Sequence, residues 1–340
     1  MTSAFTSRVA SANSQPADLM AAIDACSRAL ATIRQNLGGV IFGQDEVVNQ
    51  SLTAILSGGH MLLIGVPGLA KTRLVKALGT VLGLDARRIQ CTPDLMPSDI
   101  LGAEVMEESD AGRRAFRFIP GPVFSQLLMA DEINRASPRT QSALLQAMQE
   151  KHVTVAGENH ALPTPFHVLA TQNPIEQEGT YPLPEAQLDR FLLQIDIGYP
   201  DLDAERHMLI ATTTAAEAVL KPVITAADLL EFQKLVRLMP ISEKTVEGIL
   251  NLVRNGRPET TALDIVKQHV AWGPGPRASQ ALSLAARARA LIDGRLSPSL
   301  DDVLALAKPA LQHRMALNFT ARAEGVTLDQ VLNAMMAGIR

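Results

Sequence analysis

The chain has 340 residues, of which 47% are hydrophobic and 19% are charged. This composition excludes a disordered chain, and the length predicts two domains of ordinary size. The net charge of −4 lacks the basic surplus of a protein that follows nucleic-acid phosphates. Two cysteines, Cys26 and Cys91, are too few for a disulfide framework or a zinc site of their own.

The amino-terminal segment is polar. Residues 1–16 are predicted to form a flexible tail, and they contain no apolar stretch of the kind found in signal peptides. The longest apolar stretches, such as Met61–Val66, are far too short to span a membrane. We therefore expect a cytoplasmic protein. Over Leu19–Leu37 the apolar residues recur at helical spacing and stop before Gly38, which predicts the first helix.

Short apolar runs alternate with helical patterns up to about Tyr199. This alternation predicts an α/β fold with a parallel five-stranded sheet covered by helices on both faces. The predicted strands are Met61–Ile64, Arg88–Cys91, Leu127–Ala130, His167–Thr171 and Leu192–Ile197.

Two segments instead show the two-residue period of antiparallel strands. Val105–Ile119 alternates on one side of a turn signal at residues 110–112, and His152–Leu162 alternates around a turn near Gly157. Both segments are predicted to be β-hairpins inserted into the α/β core. Ordinary surface loops are the alternative interpretation.

No strand pattern is found from Pro200 onward. Helix starts are marked at Thr225, Ser299 and Thr327, each followed three residues later by Asp or Gln in capping-box spacing. The sequence therefore predicts an α/β core over residues 1–199 and an all-helical domain over residues 200–340.

A glycine-rich loop lies between the first predicted strand and the next helix. The sequence from Gly65 to Thr72 reads Gly-Val-Pro-Gly-Leu-Ala-Lys-Thr, a pattern that binds phosphates through backbone N–H groups. Lys71 is placed to bridge the β- and γ-phosphates, and Thr72 is placed to ligate Mg²⁺. Ala70 stands where the strict pattern has glycine, and alanine is acceptable there if its backbone torsions are right-handed. A plain turn before a core helix is the alternative.

Two carboxylates end the strand Leu127–Ala130. Asp131 is placed to hold Mg²⁺, and Glu132 is placed to act as the general base on the attacking water. The alternative is a pair of acidic residues that caps the next helix. The strand context and the spacing of about 60 residues from Thr72 favour the catalytic interpretation.

Three further polar residues complete the candidate site. Asn173 ends another apolar strand, where a neutral amide can hold a water molecule beside the γ-phosphate. Arg190 follows Pro184-Glu185 on a predicted helix and could reach the nucleotide of a neighbouring subunit. Arg277 begins a long helix and could approach the nucleotide of its own chain. Taken singly, these residues are equally compatible with a strand-end turn, a surface ion pair and a helix cap.

Together these motifs resemble those of AAA+ ATPases and, more closely, those of the MoxR family. The resemblance covers most of the chain, from about Val40 to about Phe319. Its most specific part is residues 179–191, Gly-Thr-Tyr-Pro-Leu-Pro-Glu-Ala-Gln-Leu-Asp-Arg-Phe. One departure is Gly275, where the family more often has serine before Pro-Arg. The fold implied is a P-loop core with two inserted hairpins and a helical lid.

The resemblance also implies roles for individual residues. Asn173 would be sensor 1, Arg190 a finger that acts in trans, and Arg277 sensor 2. Arg135 and Arg139 are additional candidates for the subunit interface, and the sequence does not rank them. The residues implied to bind ATP are Ile41, Phe42, Gln44, Gly65, Pro67, Gly68, Leu69, Ala70, Lys71, Thr72 and Arg73.

The family resemblance further implies the biological setting. It suggests a homo-oligomeric ring, most often a hexamer, in which ATP hydrolysis with Mg²⁺ remodels or matures a client protein complex that contains a metal or cofactor. A protein with a von Willebrand A domain would be the partner. The alternatives are the motor subunit of a magnesium chelatase, a nucleic-acid motor and a nucleotide-gated scaffold. The acidic balance and few aromatic residues disfavour nucleic acid as a partner.

Overall fold

The computed structural model describes residues 16–108, 114–175, 179–213 and 219–339. The predicted tail, apart from Pro16, and the predicted turn at residues 110–112 lie outside the described residues. Among the helices that are described, none is both long enough and apolar enough to cross a bilayer.

Five parallel strands form the central sheet, as the sequence predicted. Their spatial order, which was not predicted, is β2 (Ala86–Gln90), β5 (Leu127–Asp131), β8 (His167–Gln172), β1 (Met61–Gly65) and β9 (Leu193–Ile197). The remaining strands of the core form two antiparallel hairpins, β3-β4 and β6-β7, so the hairpin prediction is confirmed. In chain order the core strands are β1 (Met61–Gly65), β2 (Ala86–Gln90), β3 (Gly102–Glu108), β4 (Arg114–Pro120), β5 (Leu127–Asp131), β6 (His152–Val155), β7 (Glu158–Ala161), β8 (His167–Gln172) and β9 (Leu193–Ile197).

The two faces of the sheet bury separate hydrophobic clusters, because successive residues of a strand point to opposite sides. Leu63 and Met129 face a cluster shared with the amino-terminal helices and the lid. Leu62 and Leu128 face a second cluster, beside the hairpins. The helices that cover the sheet are α1 (Pro16–Gly38), α2 (Asp45–Leu56), α3 (Lys71–Val81), α4 (Pro97–Leu101), α5 (Pro138–Glu150) and α6 (Glu185–Leu188).

The carboxy-terminal part is helical, and the predicted capping boxes at Thr225, Ser299 and Thr327 are all present. The expectation that this part contains no strand was wrong. Val270–Trp272 (β10) pairs antiparallel with Ala316–Leu317 (β11), a pair too short to leave a periodic signal in sequence. The helices are α7 (Leu202–Thr213), α8 (Ala226–Leu238), α9 (Glu243–Asn255), α10 (Asp264–His269), α11 (Pro276–Ile292), α12 (Leu300–Leu311), α13 (Phe319–Glu324) and α14 (Leu328–Ala337).

Three of the buried histidines, His60, His167 and His313, have markedly lowered pKa values. His60 accepts a hydrogen bond from the Val168 amide, and its other ring nitrogen lies 3.2 Å from the Met148 carbonyl oxygen. Burial lowers the pKa of His60 to about 3 and that of His167 to about 4. Burial also lowers the pKa of His313 well below its ordinary value. All three rings are therefore neutral in the folded protein.

These lowered pKa values predict that the protein loses stability in mild acid. The unfolded chain takes up protons at these histidines near pH 6.5, whereas the folded chain does not, so stability falls as the pH drops from about 6.5 toward 4. Each histidine contributes roughly 1 kcal/mol per pH unit in that window. Urea unfolding at pH 7.5, 6.0 and 5.0 measures the slope. Replacing the exposed His207 with Gln should leave this slope unchanged. A free energy of unfolding that does not vary with pH would contradict the assignment to the three buried histidines.

Candidate nucleotide-binding site

The glycine-rich loop connects the carboxyl end of β1 to the first residue of α3, as predicted. Gly68 has a φ of +86°, and a side chain added there would meet nothing within 4 Å, so the loop is open toward solvent. Ala70 has a φ of +56° and a ψ of +19°, in the left-handed region. The expectation of right-handed torsions at Ala70 was therefore wrong. A non-glycine residue in this region carries a strain of about 1 kcal/mol.

Lys71 contacts the main chain of the glycine-rich loop. Its Nζ donates hydrogen bonds to the carbonyl oxygens of Gly65 at 2.6 Å and Val66 at 2.9 Å. Burial lowers the pKa of Lys71, while the carboxylates of Asp131 and Glu132 act in the opposite direction. The ammonium group is thus held at the loop by carbonyl oxygens and by the field of two acidic residues.

Asp131 is fixed by neighbours on both adjacent strands. Its Oδ1 accepts a hydrogen bond from the Thr171 hydroxyl at 2.6 Å. Its Oδ2 accepts from Arg88 Nε at 3.0 Å and from a terminal nitrogen of the same guanidinium at 2.5 Å. Arg88 lies on β2, next to β5 in the sheet. The carboxylate therefore has one oriented oxygen and one that is paired with a cation.

Glu132 is also held, and in an unusual backbone conformation. Its φ is +55°, and its amide donates to the Thr171 hydroxyl at 2.8 Å. Its carboxylate accepts from Gln90 Nε2 at 2.9 Å and forms an ion pair with Arg135 at 3.0 Å. These two contacts hold the Glu132 carboxylate in one position.

These elements enclose a cavity of about 420 Å³ at the carboxyl edge of the sheet. This volume is in the range of small-molecule sites. Buried Asn173 lines the cavity, and its Oδ1 accepts from the Ile175 amide at 3.2 Å. The sequence-predicted residues that meet here are Pro67, Gly68, Leu69, Ala70, Lys71, Thr72, Arg73, Asp131, Glu132 and Asn173.

A second cavity of about 440 Å³ adjoins the first and shares Arg73 with it. Ile41, Phe42 and Gln44, which the family resemblance implies bind ATP, line this cavity. Tyr199, Pro200, Glu205 and Met208 line it too, and the sequence gave no indication of them. A phosphate cavity that opens into a partly apolar one suits a nucleotide.

Arg190 and Arg277 line a different cavity, of about 200 Å³. His60, which precedes β1, lies in its wall, and the Leu192 amide before β9 donates to the His60 carbonyl at 2.7 Å. This cavity is therefore at the amino edge of the sheet, whereas the glycine-rich loop follows the carboxyl end of β1. Arg277 pairs with Asp189 at 3.7 Å. The expected approach of Arg277 to the nucleotide of its own chain is not what the structure shows.

The lid holds the segment around Arg190 through a buried arginine. Arg314 is 2% exposed, and its Nε donates to Asp189 Oδ1 at 2.7 Å. The same guanidinium donates to the carbonyls of Phe191 at 2.6 Å and Leu192 at 3.1 Å. Asp189 thus binds both Arg314 and Arg277, and it ties the start of β9 to the lid.

Several functional residues were not identified from sequence. Arg88, Gln90, Thr171 and Arg314 are single polar residues without a recognisable motif. The strand register gives the reason, since it sets Gln90 opposite Asp131 across two strands that are not adjacent in sequence. A sequence feature that could have pointed to Arg88 and Gln90 was the pair of arginines in the short run Arg87-Arg88-Ile89-Gln90. Of the two unranked arginines, Arg135 contacts Glu132, and Arg139 is exposed on α5.

A parallel sheet with a glycine-rich loop after β1, two carboxylates at the carboxyl end of β5 and a helical lid defines an ATPase of the AAA+ class. The comparisons agree. The model of the ATPase family associated with various cellular activities (AAA) matches residues 60–193, and the AAA lid domain model matches residues 262–335.

Relatives of the whole chain identify the family. Chaperone MoxR1 of Mycobacterium tuberculosis is 40% identical over 94% of this chain and 82% of its own length. Protein MoxR of Paracoccus denitrificans is 30% identical over 83% of this chain and 87% of its own. A crystal structure of a proposed ATPase from Cytophaga hutchinsonii superposes with a TM-score of 0.85 at 38% identity, covering 93% of this chain and 95% of that one. The chain belongs to the MoxR family of AAA+ ATPases.

Proposed function

We propose that this ATPase hydrolyses ATP between the subunits of a homo-oligomeric ring, most readily a hexamer, and uses the reaction to remodel a client protein complex. The observation that carries the proposal is the placement of Arg190 and Arg277 at the edge of the sheet opposite the glycine-rich loop. A five-residue strand such as β1 is about 16 Å long. Arginines at its amino end are thus far from the γ-phosphate that the same chain would bind.

In a head-to-tail ring, the amino edge of one subunit can face the carboxyl edge of the next. Arg190 and Arg277 would then both serve the nucleotide of the neighbour. This arrangement replaces the cis role that was expected for Arg277. Arg314 and Asp189 would act as positioning residues, because they fix Arg190 and Arg277 relative to each other.

The residues of the larger cavity fit ATP and Mg²⁺. The loop amides and Lys71 suit the β- and γ-phosphates, and the oxygen atoms of Thr72 and Asp131 are the ligand type that Mg²⁺ prefers. Mg²⁺ would neutralise phosphate charge. Glu132 would take a proton from the water whose oxygen attacks the γ-phosphorus, while the bond from that phosphorus to the β–γ bridging oxygen breaks. Asn173 would orient this water. The Gln90 and Arg135 contacts would fix the position of the Glu132 carboxylate until nucleotide and neighbour are in place.

The client and partner assignments rest on the family. One relative carries the name chaperone. We infer that the client contains a metal or cofactor, that a von Willebrand A protein assists, and that the work takes place in the cytoplasm. We also propose that the α/β core comprises residues 1–199 and the helical domain residues 200–340. Relatives named MoxR at 30–40% identity favour this assignment over a magnesium-chelatase subunit.

A trapping experiment tests the client-remodelling function. The Glu132→Gln protein should bind ATP without turning it over and so keep the client-bound state. Affinity purification in the presence of ATP should recover a defined set of proteins that the Lys71→Ala protein does not retain. Identical sets from the two variants would contradict nucleotide-dependent client binding.

The first hairpin, β3-β4, is the candidate contact for client or partner. It exposes the apolar side chains of Val105, Met106 and Phe116, with Phe116 71% exposed. Met106 and Phe116 lie opposite each other across the two strands, and an exposed apolar pair of this kind is typical of an interaction surface. Phe118 instead packs its ring on Phe124 and stacks on His160 of the second hairpin.

Replacing Phe116 with Ser should therefore reduce client capture at least tenfold and leave ATP binding and basal hydrolysis within twofold. The matched control is Phe319→Ser, at an exposed lid position. Pull-down and phosphate release measure the two effects. Loss of ATP binding in Phe116→Ser would show that the hairpin supports the core instead.

A further inference from the structure

The lid contains a groove next to the cavity of Arg190 and Arg277. It has a volume of about 440 Å³ and lies between α8, α9 and α11. Its floor is apolar, with Ile249, Leu250 and Leu284, and Gln280 lines both the groove and the arginine cavity. The groove and the arginine cavity therefore adjoin each other at Gln280.

Helix α11 lines both the groove and the arginine cavity. Arg277, Gln280, Leu284 and Arg287 follow at spacings of three and four residues, so they share one face of the helix. From Arg277 to Arg287 the helix rises about 15 Å. A partner that meets Arg277 at one end of this face would meet the groove along the rest.

The groove is also positively charged. Arg237 and Arg287 line it, and among the described residues neither forms a salt bridge. Arg287 reaches only the Ser283 hydroxyl, at 3.2 Å, and its Nε is buried without a partner. Burial lowers the pKa of this guanidinium. An occupant with carboxylates and apolar side chains would satisfy both features of the groove.

The same chain carries such a segment on α7. Ala204 is buried against Gly43, and the opposite side of the helix exposes Leu202 (75%), Leu209 (63%) and Ile210 (57%). These residues fall within about a quarter turn of one another on the helix. Asp203 and Glu205 flank the apolar stripe, and Arg206 lies on the same face between Leu202 and Ile210; all three charged residues are exposed. A stripe this exposed on a short helix indicates a missing partner.

Helix α7 lies on the nucleotide face of the subunit. Glu205 and Met208 line the cavity of Ile41, Phe42 and Gln44, here called the base cavity. It adjoins the cavity of the glycine-rich loop, here called the phosphate cavity. The order on this face is thus phosphate cavity, base cavity, α7. The order on the other face is arginine cavity, then groove. The ring proposed above sets the face with the phosphate cavity and α7 against the face of the neighbour that carries the arginine cavity and the groove.

We infer that α7 of one copy docks in the lid groove, lined by Arg237, Leu250 and Arg287, of the neighbouring copy. The inference rests on the ring arrangement proposed above and adds its contact surface. Leu209 and Ile210 cover the apolar floor, and the acidic residues beside them face the two arginines. Because the base cavity contacts α7, a bound nucleotide and the lid of the neighbour act on the same helix.

Two exposed positions allow the contact to be broken from either side. Leu209→Asp places a charge on the α7 stripe, and Leu250→Asp places one in the groove, where Leu250 is 40% exposed. Leu296→Asp, at a lid position 43% exposed and outside the groove, is the matched control. All are made in the Glu132→Gln protein with ATP, and assembly is followed by sedimentation velocity. Binding of a fluorescent ATP analogue verifies that each variant is folded.

The control should assemble like the parent, and each of the other two should associate at least tenfold more weakly. A mixture of Leu209→Asp and Leu250→Asp should form one-to-one dimers, since one intact helix can meet one intact groove. If both variants assemble as strongly as the parent, or if the mixture forms no dimer, the docking of α7 in the groove is contradicted. Neither of these results contradicts the proposed ring. A parent that stays monomeric with ATP would overturn the ring and the docking together.

Discussion

The Glu132→Gln protein should bind ATP as tightly as the wild type does. Its rate of ATP hydrolysis should be lower by about 10²-fold or more. Glutamine keeps the size and the hydrogen bonds of the side chain but cannot accept the proton from the attacking water. The phosphate-binding groups, Lys71 and the loop amides, are untouched. Isothermal titration measures binding, and phosphate release measures turnover.

Two comparisons make the Glu132→Gln result specific. Lys71→Ala should lose ATP binding itself, because the loop amides alone lack the charge that balances the γ-phosphate. Glu243→Gln, an identical change at an exposed lid position, should behave as wild type. Hydrolysis at the wild-type rate in Glu132→Gln would mean that the base has been assigned incorrectly.

Arg190→Ala should lower turnover by about 10³-fold with little change in ATP affinity. Charge on the γ-phosphoryl group grows in the transition state, and a guanidinium that is already fixed by its surroundings meets it without reorganisation. Asp189 and Arg314 hold the Arg190 segment in this way. Arg322→Ala, at an exposed site on α13, is the matched control and should keep full activity.

Mixing two inactive proteins tests whether Arg190 acts across the interface. Arg190→Ala retains an intact loop, and Lys71→Ala retains an intact arginine. Mixed rings therefore contain some interfaces with both groups, and activity should return once labelled subunits are seen to exchange. Exchange without any return of activity would place Arg190 in its own subunit's site or outside catalysis. The same mixture made with Arg277→Ala tests whether that arginine also serves the neighbour.

The sequence by itself determined the fold class and most of the nucleotide site. The runs that became β1, β5 and β8 are apolar because these inner strands are buried on both faces, whereas the edge strand β2 carries Arg87 and Arg88 and is mostly exposed. The glycine-rich loop and the pair Asp131-Glu132 met at one edge because parallel strands bring their carboxyl ends together. These features are local in sequence, so a pattern of neighbouring residues was enough to reveal them.

Only the tertiary structure decided the rest. The left-handed torsion of Ala70 depends on the whole loop, and the contacts of Thr171 and Arg88 with Asp131 depend on which strands are neighbours. The place of Arg277 depends on how the lid docks, which Arg314 fixes through contacts more than 100 residues away in the chain. Long-range packing of this kind leaves no periodic trace in the sequence, because each partner is a single residue whose meaning comes from what faces it.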